Sequence, residues 1–162
     1  MLLLLEIVPY IVIFIFGITI GSFLNVCIYR IPLHQSIVTV SSHCMTCGRK
    51  LKWYDMIPVF SWLLLGGKCR SCKSKISLQY PVIESLNGIL YVVICLVNGM
   101  DLFSLIYCLM TSALLTLSLI DWRTYEIPPG INAFLFILGV AAAALDRGNL
   151  LSHLAGMVCV SG

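Results

Sequence analysis

Charged residues are scarce in this sequence. Asp, Glu, Lys and Arg make up 10% of its 162 residues, 60% are hydrophobic, and the mean hydropathy is +1.01. A soluble domain carries about a quarter charged residues. This chain has too few to cover itself with a water-compatible surface, so we expect an integral membrane protein.

Positive charge is also missing from most of the chain. Seven of the ten Lys and Arg residues lie between Arg49 and Lys75, so the net charge of +3 is a local feature. It does not indicate a nucleic-acid partner. Because short basic loops stay on the cytoplasmic side during membrane insertion, we expect this polar stretch to be cytoplasmic.

Apolar runs of about 20 residues, the length that crosses a bilayer, dominate the rest of the chain. The runs are Ile7–Ile28, Pro81–Val97, Leu102–Ile120, the shorter Ile131–Leu145 and the start of a fifth, Leu150–Gly162. We therefore predict an all-α polytopic membrane protein, a helical bundle with a small cytoplasmic zinc-ribbon-like loop domain. Residues 1–31 form its first transmembrane helix, residues 32–79 the loop domain, and residues 80–162 helices two to four and the start of a fifth.

The first apolar run contains small and polar residues at helical spacing. Gly17 and Gly21 form a small-xxx-small pair, which lets a second helix approach closely. Ser22, Asn25 and Tyr29 fall on one helical face, at spacings of three and four. Polar groups at this depth face protein rather than lipid. Either helix packing or the lining of a site accounts for them.

Two Cys-x-x-Cys motifs stand within the polar stretch. Cys44–Cys47 and Cys69–Cys72 are separated by 21 residues, which is close to the spacing of structural zinc ribbons. Four thiolates give closed tetrahedral coordination, so we predict a structural Zn²⁺. Thiol–disulfide exchange and unpaired thiols are the alternatives, although a cytoplasmic location disfavours stable disulfides. The four cysteines in apolar runs are expected to be small buried hydrophobes, namely Cys27, Cys95, Cys108 and Cys159.

Carboxylates within or beside apolar runs are rare here. Asp121 follows the third run directly and begins a polar segment. At membrane depth such a carboxylate is costly and usually functional, while at headgroup level it would only end a helix. Glu84 lies just inside the second run and could face the bundle or the interface. Aspartyl peptidases need two carboxylates that share a proton, and Asp121 is the one strong candidate.

With these residues in hand, the sequence resembles the type IV prepilin peptidases, or leader peptidases, over essentially its whole length. Four stretches carry the resemblance: Gly21–Pro32; the loop with Cys44–Cys47, Trp53–Pro58, Ser61–Trp62 and Cys69–Cys72; Tyr80–Glu84; and Ile120–Asp121 with Ile127–Pro128 and Asn132. The combination is specific, whereas any one stretch alone would be weak.

The resemblance implies a membrane aspartic endopeptidase of the bacterial inner membrane. It would cleave the leaders of type IV prepilins and pseudopilins at the cytoplasmic face, with Asp121 as its first catalytic aspartate. Many members also methylate the new N-terminus with S-adenosylmethionine, and Glu84 falls in a region tied to methyl transfer. Membrane lipid is the other expected partner, and a homo-oligomer is left open.

One element of the family pattern is absent from these 162 residues. The family's second aspartate lies in a Gly-x-Gly-Asp motif, which does not occur here. Counting helices puts that cytoplasmic position after Gly162, so we expect a shortened chain that is inactive as a peptidase by itself. The alternative is a non-catalytic zinc-loop membrane protein that binds pilins or assembly components.

Overall fold

A computed structural model describes residues 2–146, Gly148 and Ala155, and in these residues the fold is helical. Its helices are α1 (Leu2–Arg30), α2 (Phe60–Leu64), α3 (Gln79–Asn98), α4 (Leu102–Thr124) and α5 (Pro129–Leu145), with a 3₁₀ turn over Trp53–Met56. Within the described part there are no strands, and extended pairing is limited to the bridges His43–Lys50 and Lys68–Lys75. The predicted fold class is confirmed.

Three of these helices are long and apolar enough to cross a membrane. The spans are Glu6–Arg30, Gln79–Asn98 and Leu102–Thr124. α5 is apolar but has 17 residues, at the short end of the range for a spanning helix. That α5 crosses the bilayer stays a prediction, and the predicted fifth run lies outside the described residues except for Ala155.

α4 extends one helical turn beyond the third apolar run, which ends before Asp121. α4 continues to Thr124, and the backbone N–H of Tyr125 donates to the Asp121 carbonyl over 2.8 Å. Tyr125 has a φ of 53°, the left-handed conformation that commonly ends helices. Pro128 follows closely and cannot continue a helix. The left-handed backbone of Tyr125 therefore ends the helix, four residues after the polar segment of the sequence begins at Asp121.

α1 and α3 pack antiparallel and very closely. A Cβ atom added to Gly17 would lie 2.7 Å from Gly88 Cα, and one added to Gly21 would lie 2.7 Å from Glu84 Cα. Real Cβ atoms do not approach backbone this closely, so larger residues here would push the helices apart. The close approach predicted from the glycine pair is confirmed.

Polar side chains join the three long helices inside the bundle. Asn87 on α3 donates to the Gly17 carbonyl of α1 over 2.8 Å and accepts from Ser112 on α4 over 2.9 Å. The Tyr91 hydroxyl lies 2.9 Å from the same Ser112 oxygen. All three side chains are buried. Because lipid offers no hydrogen-bonding partners, these bonds satisfy each polar group within the protein.

One end of the bundle gathers the C-termini of α1 and α4 and the N-terminus of α3, and we call it the loop edge. Tyr29 stacks on Tyr80 with ring centroids 5.6 Å apart, and the Arg123 guanidinium lies 4.3 Å from the Tyr29 ring centre. Beneath them Leu24, Ile28, Ile83 and Ile120 form a buried cluster. The loop, residues 32–79, leaves and re-enters the bundle at this edge.

Candidate metal centre and loop edge

The two Cys-x-x-Cys motifs come together into one cluster. The sulfur atoms of Cys44, Cys47, Cys69 and Cys72 all lie within 4.8 Å of one another. Cys44 Sγ and Cys72 Sγ are 3.8 Å apart. Tetrahedral Zn–S bonds of about 2.3 Å place two sulfurs about 3.8 Å apart, so this donor set fits a zinc ion.

Each motif is shaped by the same backbone turn. The N–H of Gly48 donates to the Cys44 carbonyl over 2.9 Å, and the N–H of Lys73 donates to the Cys69 carbonyl over 3.1 Å. Both residues directly follow the second cysteine of their motif and have positive φ angles, 68° and 57°. The turns are therefore equivalent, although glycine suits this conformation and lysine does not.

Hydrogen bonds around the cluster give its thiols different pKa values. Backbone N–H groups of Cys47 and Thr46 lower the pKa of Cys44 to about 5. Hydrogen bonds from the Ser74 hydroxyl and backbone lower the pKa of Cys72. The pKa of Cys47 is raised to about 11: the Arg49 N–H lowers it, but desolvation and the neighbouring thiols Cys44 and Cys72 outweigh that effect. Thiolate is the metal-binding form of cysteine, so the lowered pKa values of Cys44 and Cys72 favour cation binding.

The remaining described cysteines do not belong to this site. Cys27, Cys95 and Cys108 are buried in the helices, as expected of small hydrophobic residues; Cys159 lies outside the described residues. All seven described cysteines carry free thiols. The four-sulfur cluster therefore suits a metal better than the redox alternative, in which the motifs would act as separate dithiols.

An ion pair ties the second motif to the 3₁₀ turn. Arg70 Nε donates to Asp55 Oδ1 over 2.8 Å, and the Lys52 N–H donates to Asp55 Oδ2 over 3.4 Å. Partial burial raises the pKa of Asp55, but the Arg70 and Lys52 hydrogen bonds outweigh it, and the pKa is lowered. The guanidinium also lies 5.1 Å from the Tyr54 ring centre. Asp55 therefore orders the loop.

Glu84 joins the loop to the membrane helices, a role that sequence reasoning missed. Its side chain is buried on α3, and its Oε2 accepts the backbone N–H of Val59 over 2.6 Å. Val59 has a φ of 60°, which is strained for a β-branched residue. Such strain persists only where the surroundings enforce it. No local pattern in the sequence signals a contact between residues 25 positions apart.

Asn25 is a second polar group at the junction of α1 and α3. Its Nδ2 donates to the Tyr80 carbonyl over 3.2 Å and to the Gly21 carbonyl over 3.4 Å. Its Oδ1 is buried without a hydrogen-bond partner among the described residues. The hydrogen bonds of the Asn25 amide nitrogen thus serve helix packing. The amide oxygen remains compatible with the alternative that Asn25 lines a site.

Asp121 lies in the last turn of α4 at the loop edge, and its side chain is exposed. Its neighbour Ile120 is fully buried against α1 and α3, and Arg123 covers Tyr29, so this turn is fixed to the bundle. Within the described residues no side-chain hydrogen bond or ion pair engages the Asp121 carboxylate. It is held in place by its helix and remains open to a ligand.

Three other carboxylates of the described part have structural tasks. Asp101 caps α4 by accepting the Ser104 N–H over 2.8 Å. Asp55 pairs with Arg70, and Glu84 accepts from Val59. Glu126 is exposed just beyond α4. No hydrogen bond joins Asp121 to a second carboxylate among the residues described.

Two models of protein families match the chain. The bacterial peptidase A24 N-terminal domain matches residues 15–98, just over half of the chain. The type IV leader peptidase family matches residues 108–162. The first match contains the cysteine cluster and Glu84, and the second contains Asp121.

Curated relatives carry matching names. The chain is 40% identical over 131 residues to the prepilin leader peptidase/N-methyltransferase of Myxococcus xanthus, covering 80% of this chain and 39% of the relative. It is 35% identical over 147 residues to the Bacillus subtilis protein of that name, covering 91% and 58%. An Escherichia coli type 4 prepilin-like proteins leader peptide-processing enzyme is 31% identical over 152 residues, covering 83% and 56%. The chain thus spans about half the length of these relatives. No solved structure matches.

Proposed function

The chain belongs to the type IV leader peptidase family, and from this premise we propose that it carries half of an aspartic endopeptidase site. The substrates would be type IV prepilins and pseudopilins, cleaved where their leaders meet the cytoplasmic face of the bacterial inner membrane. The observation that carries the proposal is the exposed carboxylate of Asp121, which has no side-chain partner among the described residues and is held at the loop edge by the buried Ile120.

Asp121 would act on water and the scissile peptide bond. In an aspartyl pair one ionised carboxylate takes a proton from water, and the water oxygen attacks the carbonyl carbon of the scissile bond. A second, protonated carboxyl polarises the carbonyl oxygen. The carbon–nitrogen bond then breaks, and the departing amine takes up a proton. An exposed carboxylate in a fixed helical turn is suited to one of these two roles.

A second carboxylate is the missing requirement. The Gly-x-Gly-Asp motif that the resemblance assigns to it does not occur in the 162 residues. One carboxylate cannot supply both halves of the acid–base pair. We therefore propose that these residues alone do not cleave prepilins and that cleavage requires a further aspartate beside Asp121.

The test is leader removal from a prepilin in reconstituted membranes, followed by mass spectrometry. We expect no cleavage by the 162 residues, and cleavage when they are joined to the remaining segment of the Myxococcus xanthus relative. In the joined protein, Asp121→Asn should abolish cleavage, while Glu126→Gln, a change at another exposed carboxylate near the end of α4, should not. Unchanged cleavage by Asp121→Asn would refute the assignment. If the unmodified joined protein binds prepilin without cleaving it, the non-catalytic binding alternative is favoured.

For the loop we propose a structural zinc ion bound by Cys44, Cys47, Cys69 and Cys72. The support is the fit of the sulfur spacing to tetrahedral coordination. With four protein ligands no coordination position is left for water, so the ion would supply folding free energy rather than catalysis. A loop folded in this way would bring Val59 to Glu84 at the loop edge.

N-methylation of the cleaved N-terminus is a second proposed activity, favoured by the names of the relatives. S-adenosylmethionine would supply the methyl group, and Glu84 is the residue that the family resemblance connects with it. The described residues do not show a fit: the Glu84 carboxylate already accepts from Val59. Two open grooves on the bundle surface, of about 300 and 270 Å³, have mainly apolar linings that do not include Glu84. Transfer of labelled methyl to cleaved pilin tests the activity.

A further inference from the structure

The short helix α2 has an apolar face with no partner among the described residues. Phe60, Leu63 and Leu64 are exposed. Spacings of three and four put these side chains on one face of a helix. Trp62 instead donates from Nε1 to the Ile76 carbonyl over 3.3 Å, inside the loop. One side of α2 thus belongs to the loop domain and the other is free.

The hydrogen bond to Glu84 fixes the depth of this face. Glu84 is five residues into α3, or about 7.5 Å along the helix axis from Gln79 at 1.5 Å per residue. Val59, whose N–H donates to Glu84, directly precedes α2. α2 has five residues, so it extends only about 7.5 Å from this point. With Gln79–Asn98 as the span, α2 lies near the height at which α3 enters the membrane.

Further apolar side chains are exposed just before α2 in the chain. Met56 and Ile57, in and after the 3₁₀ turn, are also exposed. Contiguous apolar patches usually mark binding surfaces. Exposed basic residues flank the patch along the chain, with Lys52 before it and Lys68 after it. A large apolar face with basic neighbours is typical of segments that lie in the interface of a bilayer with anionic lipids.

We propose that α2 is an interfacial membrane anchor whose face of Phe60, Leu63 and Leu64 inserts among the lipids at the loop edge. The occupant is the lipid of the membrane that the long helices cross. Depth, apolarity and flanking charge together favour lipid over a polypeptide partner. The loop domain would then rest on the membrane at two points, the Glu84 hydrogen bond and the α2 face.

The test compares two exposed positions of the loop in a reconstituted bilayer of phosphatidylcholine and phosphatidylglycerol. Leu64 on α2 and Met45 in the first cysteine motif are similarly exposed, at 88% and 83%. Each is replaced in turn by the photoreactive residue benzoylphenylalanine in the metal-loaded chain. After irradiation, lipid adducts are counted by mass spectrometry. Because burying a leucine-sized side chain contributes more than about 1.4 kcal/mol, we expect at least about tenfold more adduct at position 64.

Equal adduct formation at the two positions would overturn the proposal. So would a cross-link from position 64 to a second copy or to another polypeptide instead of lipid. Metal content, measured on each variant, shows whether the loop is still folded. A probe at Leu63, on the same face, gives the answer if the variant at position 64 loses metal. The result does not depend on peptidase activity.

Discussion

The bundle and the loop are stabilised in different ways. In the bundle, α1 and α3 meet at glycines, and the buried bonds of Asn87 connect three helices. In the loop, residues 32–79, only Gly67 and Cys69 are buried. A segment with so little core cannot offset its conformational entropy by packing. We therefore expect the loop, unlike the bundle, to need a cross-link at its cysteines.

Removing one cysteine of the cluster should have the largest effect, because it should destabilise the loop without affecting the bundle. Cys69→Ser takes away a buried cysteine of the proposed zinc site, and structural zinc contributes about 10–16 kcal/mol of apparent binding free energy in small zinc peptides. We expect proteases to cut residues 32–79 rapidly while the membrane helices stay inserted. Cys95→Ser, at a buried thiol of the bundle, is the control and should leave the loop resistant. Equal resistance of Cys69→Ser and the unmodified chain would show that the thiols do not hold the loop.

A larger residue at the α1–α3 contact should have the next largest effect, in the bundle. Gly21→Val places methyl groups against the Glu84 backbone, where even a Cβ would lie 2.7 Å from Cα. Overpacking of this kind costs about 1–3 kcal/mol. The expected result is a lower thermal stability in detergent with normal metal content. Gly139→Val is the control, since nothing lies within 4 Å of a Cβ there. Equal stability of the two variants would argue against the packing described.

The junction between the two regions can be tested at Glu84. Glu84→Ala leaves the Val59 N–H without its acceptor, which costs about 1–3 kcal/mol for a buried group. We expect faster proteolysis near Val59 with metal still bound. Glu84→Gln keeps a side-chain acceptor and should restore most of the protection. If Ala and Gln variants behave alike, the hydrogen bond does not hold the loop on the bundle.

The smallest expected effect concerns the two equivalent turns of the metal site. Lys73 has a φ of 57° where the first motif has Gly48. Relief of the left-handed strain at a non-glycine residue is worth about 1 kcal/mol. Lys73→Gly should therefore slow metal release to a chelator, and Gly48→Lys should speed it. Faster release from Lys73→Gly would mean that the two turns are not equivalent.

Much of this architecture is predictable from sequence because it depends on local patterns. Long apolar runs predict helices, the spacing of Gly17 and Gly21 predicts a close contact, and the two Cys-x-x-Cys motifs predict one cluster. The last turn of α4 was missed because polarity begins at Asp121, whereas the helix ends at the left-handed Tyr125. The position at which a sequence becomes polar therefore does not by itself predict where a helix ends.

The contacts of the loop could not be predicted in the same way. The Glu84–Val59 bond depends on the path of the chain between the cysteine motifs, and the short α2 has too few residues to show a periodic pattern. The role of Asp121 was inferred from its place beside an apolar run and from family resemblance. The structure adds that its carboxylate is exposed and fixed by Ile120.

The most direct test of the proposal that a metal folds the loop, whereas packing folds the bundle, is to remove the metal from the intact chain. Zinc would be counted in the chain purified from membranes and then released by titration with a mercurial thiol reagent. We predict one zinc per chain, release in parallel with protease sensitivity of residues 32–79, and unchanged membrane helices. A chain that contains no metal, or a loop that stays resistant to protease after the metal is released, would show that a metal does not fold the loop.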